Sequence, residues 1–212
     1  MKTCKICGDN TYKYFEEKST YYKCKKCDFI FLDEKKYLEF KEEKYRYSLH
    51  NNTLNNIGYV KMFLEFINKS VFPYSNTKFS FFDFGCGNTP VLSLLLKKFF
   101  DKVYYYDPYF FDNKNLLSRK YDFITSTEVF EHFYTPNISL NLLSNLLKKN
   151  GIMSIMTLFP PDNIENFSKW YYKKDPTHVC FYSLKTFEKI AEIYNFKIIY
   201  SNKKNICVLK KL

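Results

Sequence analysis

The sequence predicts an α/β protein, in which a three-layer domain with a mostly parallel sheet and a closing antiparallel hairpin follows a small cysteine-rich module. Three observations predict it: two Cys-x-x-Cys pairs near the start, a strand–glycine loop–helix order at residues 79–100, and alternating β-rich and helical patterns afterwards. The 212 residues suit one ordinary domain and a small module. We expect the module at residues 1–32, a helical linker at 33–56 and the main domain at 57–212.

The module is defined by four cysteines. Cys4 and Cys7 form one pair, Cys24 and Cys27 form the other, and sixteen residues lie between the pairs. Each pair can occupy one tight turn, so that four thiolates surround a tetrahedral Zn²⁺. Four protein ligands leave no position for water or substrate, so the predicted zinc is structural. The β-favouring residues between the pairs make the module a zinc ribbon, and a redox-active pair is the weaker alternative.

Two helices are predicted between the module and the glycine loop. Residues 33–47 are dense in Lys, Glu and Tyr, which predicts a solvated helix bridging the module and the domain. Residues 58–70 place apolar side chains at helical spacing, which predicts a helix packed on the core.

A glycine loop follows the first strand of the domain. A short apolar run at residues 79–84 leads into the loop at 85–90, and a helical pattern continues over 91–100. Thr89 is predicted to cap this helix, and Pro90 suits its first position. Glycine lets the backbone approach a ligand closely, and the amides at a helix start favour an anionic group.

An acidic residue stands where a nucleoside sugar would need it. Asp107 lies twenty positions after Gly87, at the end of a predicted strand over residues 103–106. An acid at this distance from a glycine loop can accept both ribose hydroxyls of an adenosine. The alternative interpretation makes Asp107-Pro108 a turn only. The order of strand, loop, helix and strand favours a cofactor site.

These segments resemble class I (Rossmann-like) S-adenosylmethionine-dependent methyltransferases over about residues 57–212. The stretch 83–87 is similar to their first motif, 106–108 to their second, 121–132 to their fourth strand and following turn, and 151–157 to their fifth strand. The resemblance is greatest to the broad group that often carries a zinc ribbon in front. It implies S-adenosylmethionine as cofactor, and it implies these cofactor-binding residues: Asp83, Gly85, Cys86, Gly87, Asp107, Pro108, Thr127 and Glu128.

Two departures from that family pattern stand out. Thr89-Pro90 occupies the place where a third glycine often follows in the loop. Only fourteen residues separate Asp107 from Asp122, which leaves little room for the usual third strand and its helix. An edge strand of the sheet is therefore expected to be missing.

A cluster of titratable residues follows the fourth strand. If the segment is helical, Glu128, Glu131 and His132 share one face. The Glu-x-x-Glu-His pattern is similar to one in ubiquinone O-methyltransferases, where it is implicated in divalent-metal binding. The resemblance thus implies a possible second metal at these three residues. The alternative is a pair of acids favouring a helix start, with His132 partly buried.

A long loop follows the fifth strand and carries a second histidine. Such loops often serve as lids or binding loops, and in the resembling group this insert covers the acceptor pocket. We predict His178 as a base or substrate contact, against a structural histidine bonded to Asp175. Trp170 and Tyr171 could pack an acceptor or the core. The candidate catalytic residues are His178, His132 and Glu131.

The last elements are a helix and a hairpin. Residues 184–194 predict a helix that Ser183 caps and Asn195 closes. Residues 196–200 and 205–209 predict the antiparallel hairpin that completes the sheet.

Composition limits the cellular locations and the binding partners that we expect for the chain. The net charge is +11, but the lysines are scattered, so nucleic-acid binding is possible and not favoured. The cysteine pair stands where the apolar run of a signal peptide would begin. Lys97 and Lys98 interrupt the most apolar stretch, which is therefore far shorter than a membrane-spanning segment. We expect a cytoplasmic protein with reduced cysteines, of which Cys86, Cys180 and Cys207 have packing roles.

The predicted function is methyl transfer from S-adenosylmethionine to a small-molecule oxygen, nitrogen or carbon. One alternative is an RNA-modifying methyltransferase that uses the ribbon to grip RNA. Another is a non-catalytic S-adenosylmethionine-binding protein, which the altered glycine loop and the short middle region suggest. The dinucleotide pattern of an oxidoreductase is incomplete here.

Overall fold

The computed structural model describes residues 2–49 and 52–212. The strands, in chain order, are β1 (Thr11–Glu16), β2 (Thr20–Cys24), β3 (Ile30–Leu32), β4 (Ser80–Phe84), β5 (Lys102–Tyr106), β6 (Tyr121–Thr127), β7 (Leu147–Met156), β8 (Cys180–Phe181), β9 (Phe196–Ser201) and β10 (Ile206–Lys211). The α-helices are α1 (Phe40–Ser48), α2 (Ile57–Ser70), α3 (Val91–Leu96), α4 (Pro136–Leu146), α5 (Ile164–Lys169) and α6 (Leu184–Tyr194).

The central sheet has six strands in the order β5-β4-β6-β7-β10-β9. The first four are parallel, and β10 pairs antiparallel with both β7 and β9. This confirms the predicted α/β class, with a mostly parallel sheet and an antiparallel end. The chain leaves β4 toward β5 on one side and reaches β6 on the other, so the order reverses at β4. A cleft outside the carboxyl ends of the strands is expected at such a point.

Helices cover both faces of the sheet. On one face, α2 and α3 pack against side chains such as Phe81 and Phe123. On the other face, α4 and α6 pack against Phe82 and Ile124. All four of these strand side chains are fully buried, which follows from the continuous apolar runs that a parallel sheet needs.

Two local predictions need correction or completion. Helix α3 begins at Val91 with Pro90 in the capping position and no side-chain cap, so the prediction that Thr89 caps it is wrong. The Val91 N–H bonds the Thr89 carbonyl instead, at 2.8 Å, which makes a tight turn. Between Asp107 and β6 the described chain forms only a 3₁₀-helix at Lys114–Ser118 and one isolated bridge, so β5 is an edge strand. By contrast, α6 has the predicted Ser183 cap and the left-handed Asn195 at its end.

The cysteine module shares a sheet with the main domain. Strands β1, β2 and β3 form an antiparallel meander, and β8 from the C-terminal segment pairs with β3 as a fourth strand. The Thr186 hydroxyl donates to the Cys27 carbonyl at 2.8 Å, and Phe167 of α5 packs on the rings of Tyr14 and Tyr21. The ribbon and one face of the domain therefore form one continuous core.

The helix predicted over residues 33–47 forms only from Phe40, as α1, after a 3₁₀ turn at Glu34–Lys36. Helix α1 is solvated on most of its surface, but one face turns inward. Glu43 is only 5% exposed, although the neighbouring Glu42 and Lys44 are exposed. In the described chain, no helix has both the length and the apolar character that crossing a bilayer would require.

Candidate functional site

A cavity of about 570 Å³ opens at the carboxyl ends of β4, β5 and β6. Its lining includes all eight residues predicted to bind the cofactor, together with His132 and His178. The third predicted catalytic residue, Glu131, lies fully buried beneath the cavity and is not part of its lining. The structure thus brings the predicted site residues together, and their roles remain predictions.

The glycine loop forms the floor of the cavity, although it lacks a third glycine. Gly85 has a φ of +82°, and its N–H donates to the Tyr106 carbonyl at 2.8 Å, which ties the loop to β5. Gly87 has a φ of +71°, and a Cβ added there would meet no protein atom within 4 Å. The backbone at Gly87 therefore borders open space of the cavity, where a ligand can approach it closely.

The carboxylate of Asp107 lies against this loop. Its Oδ2 accepts a hydrogen bond from the Gly87 N–H at 2.9 Å, and its Oδ1 accepts from the N–H groups of Tyr109 and Phe110 at 2.8 and 3.2 Å. A carboxylate can accept about four hydrogen bonds, so these three fix its position without exhausting its capacity. The glycine turn and the acid are adjacent, as a bound nucleoside would require.

Asp83 supports the loop from the end of β4. The hydroxyls of Ser93 and Thr125 donate to its two oxygens at 2.9 and 3.0 Å. Burial raises the pKa of Asp83 to about 6 in spite of these bonds. A cationic group placed beside it would restore its charge, as the amino group of the cofactor's methionine part would.

The geometry predicted for the Glu-x-x-Glu-His segment is wrong. Glu128 has a left-handed backbone with a φ of +54°, and only Phe130–His132 form one 3₁₀ turn, so the three side chains do not share a helix face. The Glu131 side chain points into the core, where its Oε2 accepts from the Thr157 hydroxyl at 2.8 Å. The groups that converge within 4.8 Å are Glu131, His132 and His178, with His178 in the place predicted for Glu128.

Tyr172 joins the two glutamates. Its hydroxyl lies 2.9 Å from Glu128 Oε2 and also contacts Glu131 Oε1. One hydroxyl has one proton, so it donates to one carboxyl group and accepts from the other, which must then be protonated. Burial raises the pKa of Glu131 to about 7, and burial with the charge of Glu131 raises that of Glu128 to about 8. The pair therefore keeps a proton near neutral pH.

Both histidines are oriented by backbone carbonyls. Nδ1 of His132 lies 2.9 Å from the Thr177 oxygen, and Nδ1 of His178 lies 2.7 Å from the Tyr172 oxygen. A carbonyl only accepts, so each Nδ1 carries hydrogen and the lone pair of the neutral ring is on Nε2. The Oδ1 of Asp175 accepts hydrogen bonds from the N–H and the hydroxyl of Thr177. The alternative of a structural His178 bonded to Asp175 stays a prediction.

Several residues of the cavity escaped the sequence analysis because they come from distant segments. Glu43 of α1 accepts hydrogen bonds from the hydroxyls of Tyr47 and Tyr109 at 2.7 and 2.5 Å. The Tyr47 ring also makes an edge contact with the His132 ring, at 5.2 Å between centroids. The only local signal was the four-residue spacing of Glu43 and Tyr47 within a segment of solvated composition.

The buried Glu131 predicts a pH dependence of stability. Its folded pKa lies above the roughly 4.3 of an unfolded chain, so the folded state binds the proton more tightly and its stability falls as pH rises toward 7. Between pH 6 and 8, without added divalent ions, we expect the wild type to lose about 1–2 kcal/mol more unfolding free energy than Glu131→Gln in urea titrations. The exposed Glu165→Gln should follow the wild type. Equal losses for the wild type and Glu131→Gln would contradict this assignment.

The four predicted ribbon cysteines form one cluster. Three sulfur pairs, Cys4–Cys27, Cys7–Cys24 and Cys7–Cys27, are each separated by 3.6 Å. Four thiolates at about 2.3 Å from a tetrahedral Zn²⁺ would lie roughly 3.8 Å apart. Backbone N–H groups of Ile6, Lys26 and Cys27 also point at the sulfurs, at 3.4 Å each. The cluster fits a zinc ribbon.

Comparisons with known proteins agree with this geometry. A family model described as a methyltransferase domain matches residues 54–201. No curated protein sequence matches the chain significantly. Among solved structures, the YcgJ protein from Bacillus subtilis is 13% identical, with a TM-score of 0.50 over 66% of this chain and 70% of that one.

Two further structures differ more in length from this chain. An O-methyltransferase family protein from Burkholderia thailandensis is 10% identical, with a TM-score of 0.57 over 80% of this chain and 62% of that one. Coclaurine N-methyltransferase is 14% identical, with a TM-score of 0.46. The alignment covers 71% of this chain and about half, 52%, of that protein. At such identities the structures show the fold alone, and the family match carries the assignment. The chain belongs to the methyltransferase-domain family and is a class I S-adenosylmethionine-dependent methyltransferase.

Proposed function

We propose that the chain transfers the methyl group of S-adenosylmethionine to a small molecule bound in the 570 Å³ cavity. The observation that carries this proposal is the hydrogen bond from Gly87 N–H to Asp107 Oδ2, with open space above Gly87. A cavity of this volume suits a cofactor and a small acceptor.

The residues present fit the cofactor at three points. The backbone of the glycine loop can approach its amino-acid end, and Asp107 can accept hydrogen bonds from its ribose hydroxyls. Thr127 and Glu128 line the cavity at the end of β6 and would contact the same ligand. When bound, the cofactor supplies an electrophilic methyl group, so the protein's task is chiefly to align the acceptor and exclude water.

Calorimetric titration with S-adenosylhomocysteine tests this proposal. The wild type should bind, and Asp107→Asn should bind about 10–100-fold more weakly, since hydrogen bonds to a charged group contribute about 1.5–3 kcal/mol. Asp112→Asn is the matched control, because that carboxylate bonds Tyr106 and lies outside the cavity lining. Absence of binding by folded, zinc-loaded wild type would refute the proposal.

We further propose that the four-cysteine cluster holds a structural zinc. The sulfur separations support tetrahedral coordination, and three of the four cysteines are buried, which is unfavourable for a redox pair that must meet a partner. The zinc would hold together the turns that carry strands β1 to β3.

The other predictions concern a second metal and two alternative functions. A second divalent metal would use Glu131, His132 and His178, with each histidine oriented by a carbonyl as metal ligands usually are. The RNA-modifying alternative rests on the net charge of +11. The non-catalytic alternative loses one of its supports, because the glycine loop forms a turn without a third glycine.

A further inference from the structure

The charge of the cavity is opposite to that of the protein. Five acidic side chains line it: Glu43, Asp83, Asp107, Glu128 and Asp175. Among the described residues of the lining there is no lysine or arginine, although the chain has 33 such residues and a net charge of +11. A cavity lined by groups of one sign of charge concentrates ligands of the other sign.

The cofactor accounts for three of these acids: Asp83, Asp107 and Glu128. Asp83 and Asp107 lie at the glycine loop, where the amino-acid and ribose parts would bind. The other end of the cavity, which we call the acceptor end, is formed by Tyr47, His132, Asp175 and His178, with Glu43 behind Tyr47. Its two acids, Glu43 and Asp175, are not among the residues predicted to bind the cofactor.

The acids at the acceptor end are held in place by hydrogen bonds. Burial would raise the pKa of Asp175, but the hydrogen bonds from Thr177 outweigh it and the pKa lies below its ordinary value. Glu43 accepts hydrogen bonds from the hydroxyls of Tyr47 and Tyr109.

Aromatic rings complete the same end. Tyr47, Phe133 and Tyr134 line the cavity near the two histidines. Ring faces attract organic cations, and carboxylates combined with aromatic walls are the usual surroundings of bound ammonium groups. Phosphates and carboxylates instead require arginine, lysine or helix amides, and the acceptor end offers no lysine or arginine within the described lining.

We propose that the methyl acceptor is an amine that enters the acceptor end as an ammonium ion, held by Asp175 and the aromatic walls. This inference rests on the proposed function and names the substrate class of the same site. It excludes acceptors whose reacting end carries a phosphate or carboxylate.

The reaction balances without another reactant. The ammonium nitrogen loses one proton to solvent, and the neutral amine that remains has a lone pair. That lone pair forms a bond to the methyl carbon, the bond from this carbon to sulfur breaks, and sulfur keeps its electron pair as a thioether. The product leaves as a methylated ammonium ion.

Three probes that share a phenylethyl group and differ in charge test the proposal. On the full zinc-loaded chain saturated with S-adenosylhomocysteine, binding of 2-phenylethylamine, 2-phenylethanol and 3-phenylpropionate is compared by calorimetry. The amine should bind at least about tenfold more tightly than the alcohol, and the acid should bind more weakly than both. Asp175→Asn should weaken the amine about tenfold and leave the alcohol unchanged, because only the charged probe loses a partner.

The control and the alternative outcomes separate the two proposals. Glu192→Gln, at an exposed carboxylate on α6, should leave the preference for the amine unchanged. If S-adenosylhomocysteine binds but the amine is not preferred, including the case in which no probe binds, the amine proposal is overturned and the proposed function stands. If S-adenosylhomocysteine itself does not bind, the proposed function fails.

Discussion

Gly85→Ala is expected to lower the melting temperature of the chain by about 10 °C. A Cβ at this position would lie 2.9 Å from Val129 Cγ1 and 3.2 Å from Val129 Cβ, and nearer still to Cγ2, while the φ of +82° is a left-handed conformation. The backbone strain costs about 1–2 kcal/mol. Crowding of a packed site adds about 1–3 kcal/mol. For a chain of this size each kcal/mol lowers the melting temperature by about 2–4 °C.

Gly87→Ala is the matched variant, with a different expected result. Its φ of +71° carries similar strain, but the added methyl group meets no protein atom within 4 Å, so the loss of stability should be limited to about 1–2 kcal/mol. The methyl group would occupy cavity space, and binding of S-adenosylhomocysteine should weaken about tenfold or more. Thermal unfolding and calorimetry of both variants check this contrast. If Gly87→Ala bound like the wild type, the ligand would not lie over the loop.

Local sequence signals sufficed to bring together the residues predicted to bind the cofactor. Gly85, Gly87 and Asp107 belong to one strand–loop–helix–strand unit, in which spacing along the chain determines distance in space. The same reasoning failed by one residue at Thr89. A tight turn, closed by the 2.8 Å hydrogen bond from the Val91 N–H to the Thr89 carbonyl, replaced the side-chain cap. Capping by a threonine is a preference of modest free energy, and the geometry of the loop overrode it.

The acceptor half depends on contacts between distant segments, for which one sequence gives no spacing rule. Glu43 contacts Tyr109 across 66 positions, and His132 contacts the carbonyl of Thr177 across 45. The helical reading of Glu128 failed because the chain takes a left-handed turn there, directly after β6. The sequence identified His132 and His178 as candidates but not Glu43, and only the fold shows which residues each of them contacts.

The same long-range packing connects the cysteine module to the main domain. Strand β8, which pairs with β3, begins two residues after His178, and the Leu32 N–H donates to the Val179 carbonyl at 2.8 Å. The Val179 N–H in turn donates to the Glu131 carbonyl at 2.8 Å. A continuous hydrogen-bonded path therefore runs from the ribbon to the residues next to His178 and His132 in the chain. Loss of the ribbon should disturb the main domain and not only the cysteine module.

Removal of zinc by a chelator is accordingly expected to lower a single melting transition by about 10–20 °C. Structural zinc contributes about 10 kcal/mol or more in isolated fingers, and a loss of even about 5 kcal/mol gives this shift in a chain of this length. Cys24→Ser should lose the metal, melt at the lower temperature and respond no further to the chelator, with zinc content measured in parallel. Two separate transitions, with the larger one unchanged, would show instead that residues 1–32 fold as an independent module. In that case the hydrogen bonds through Val179 would contribute little to holding His178 in place, and acceptor binding should survive the loss of zinc.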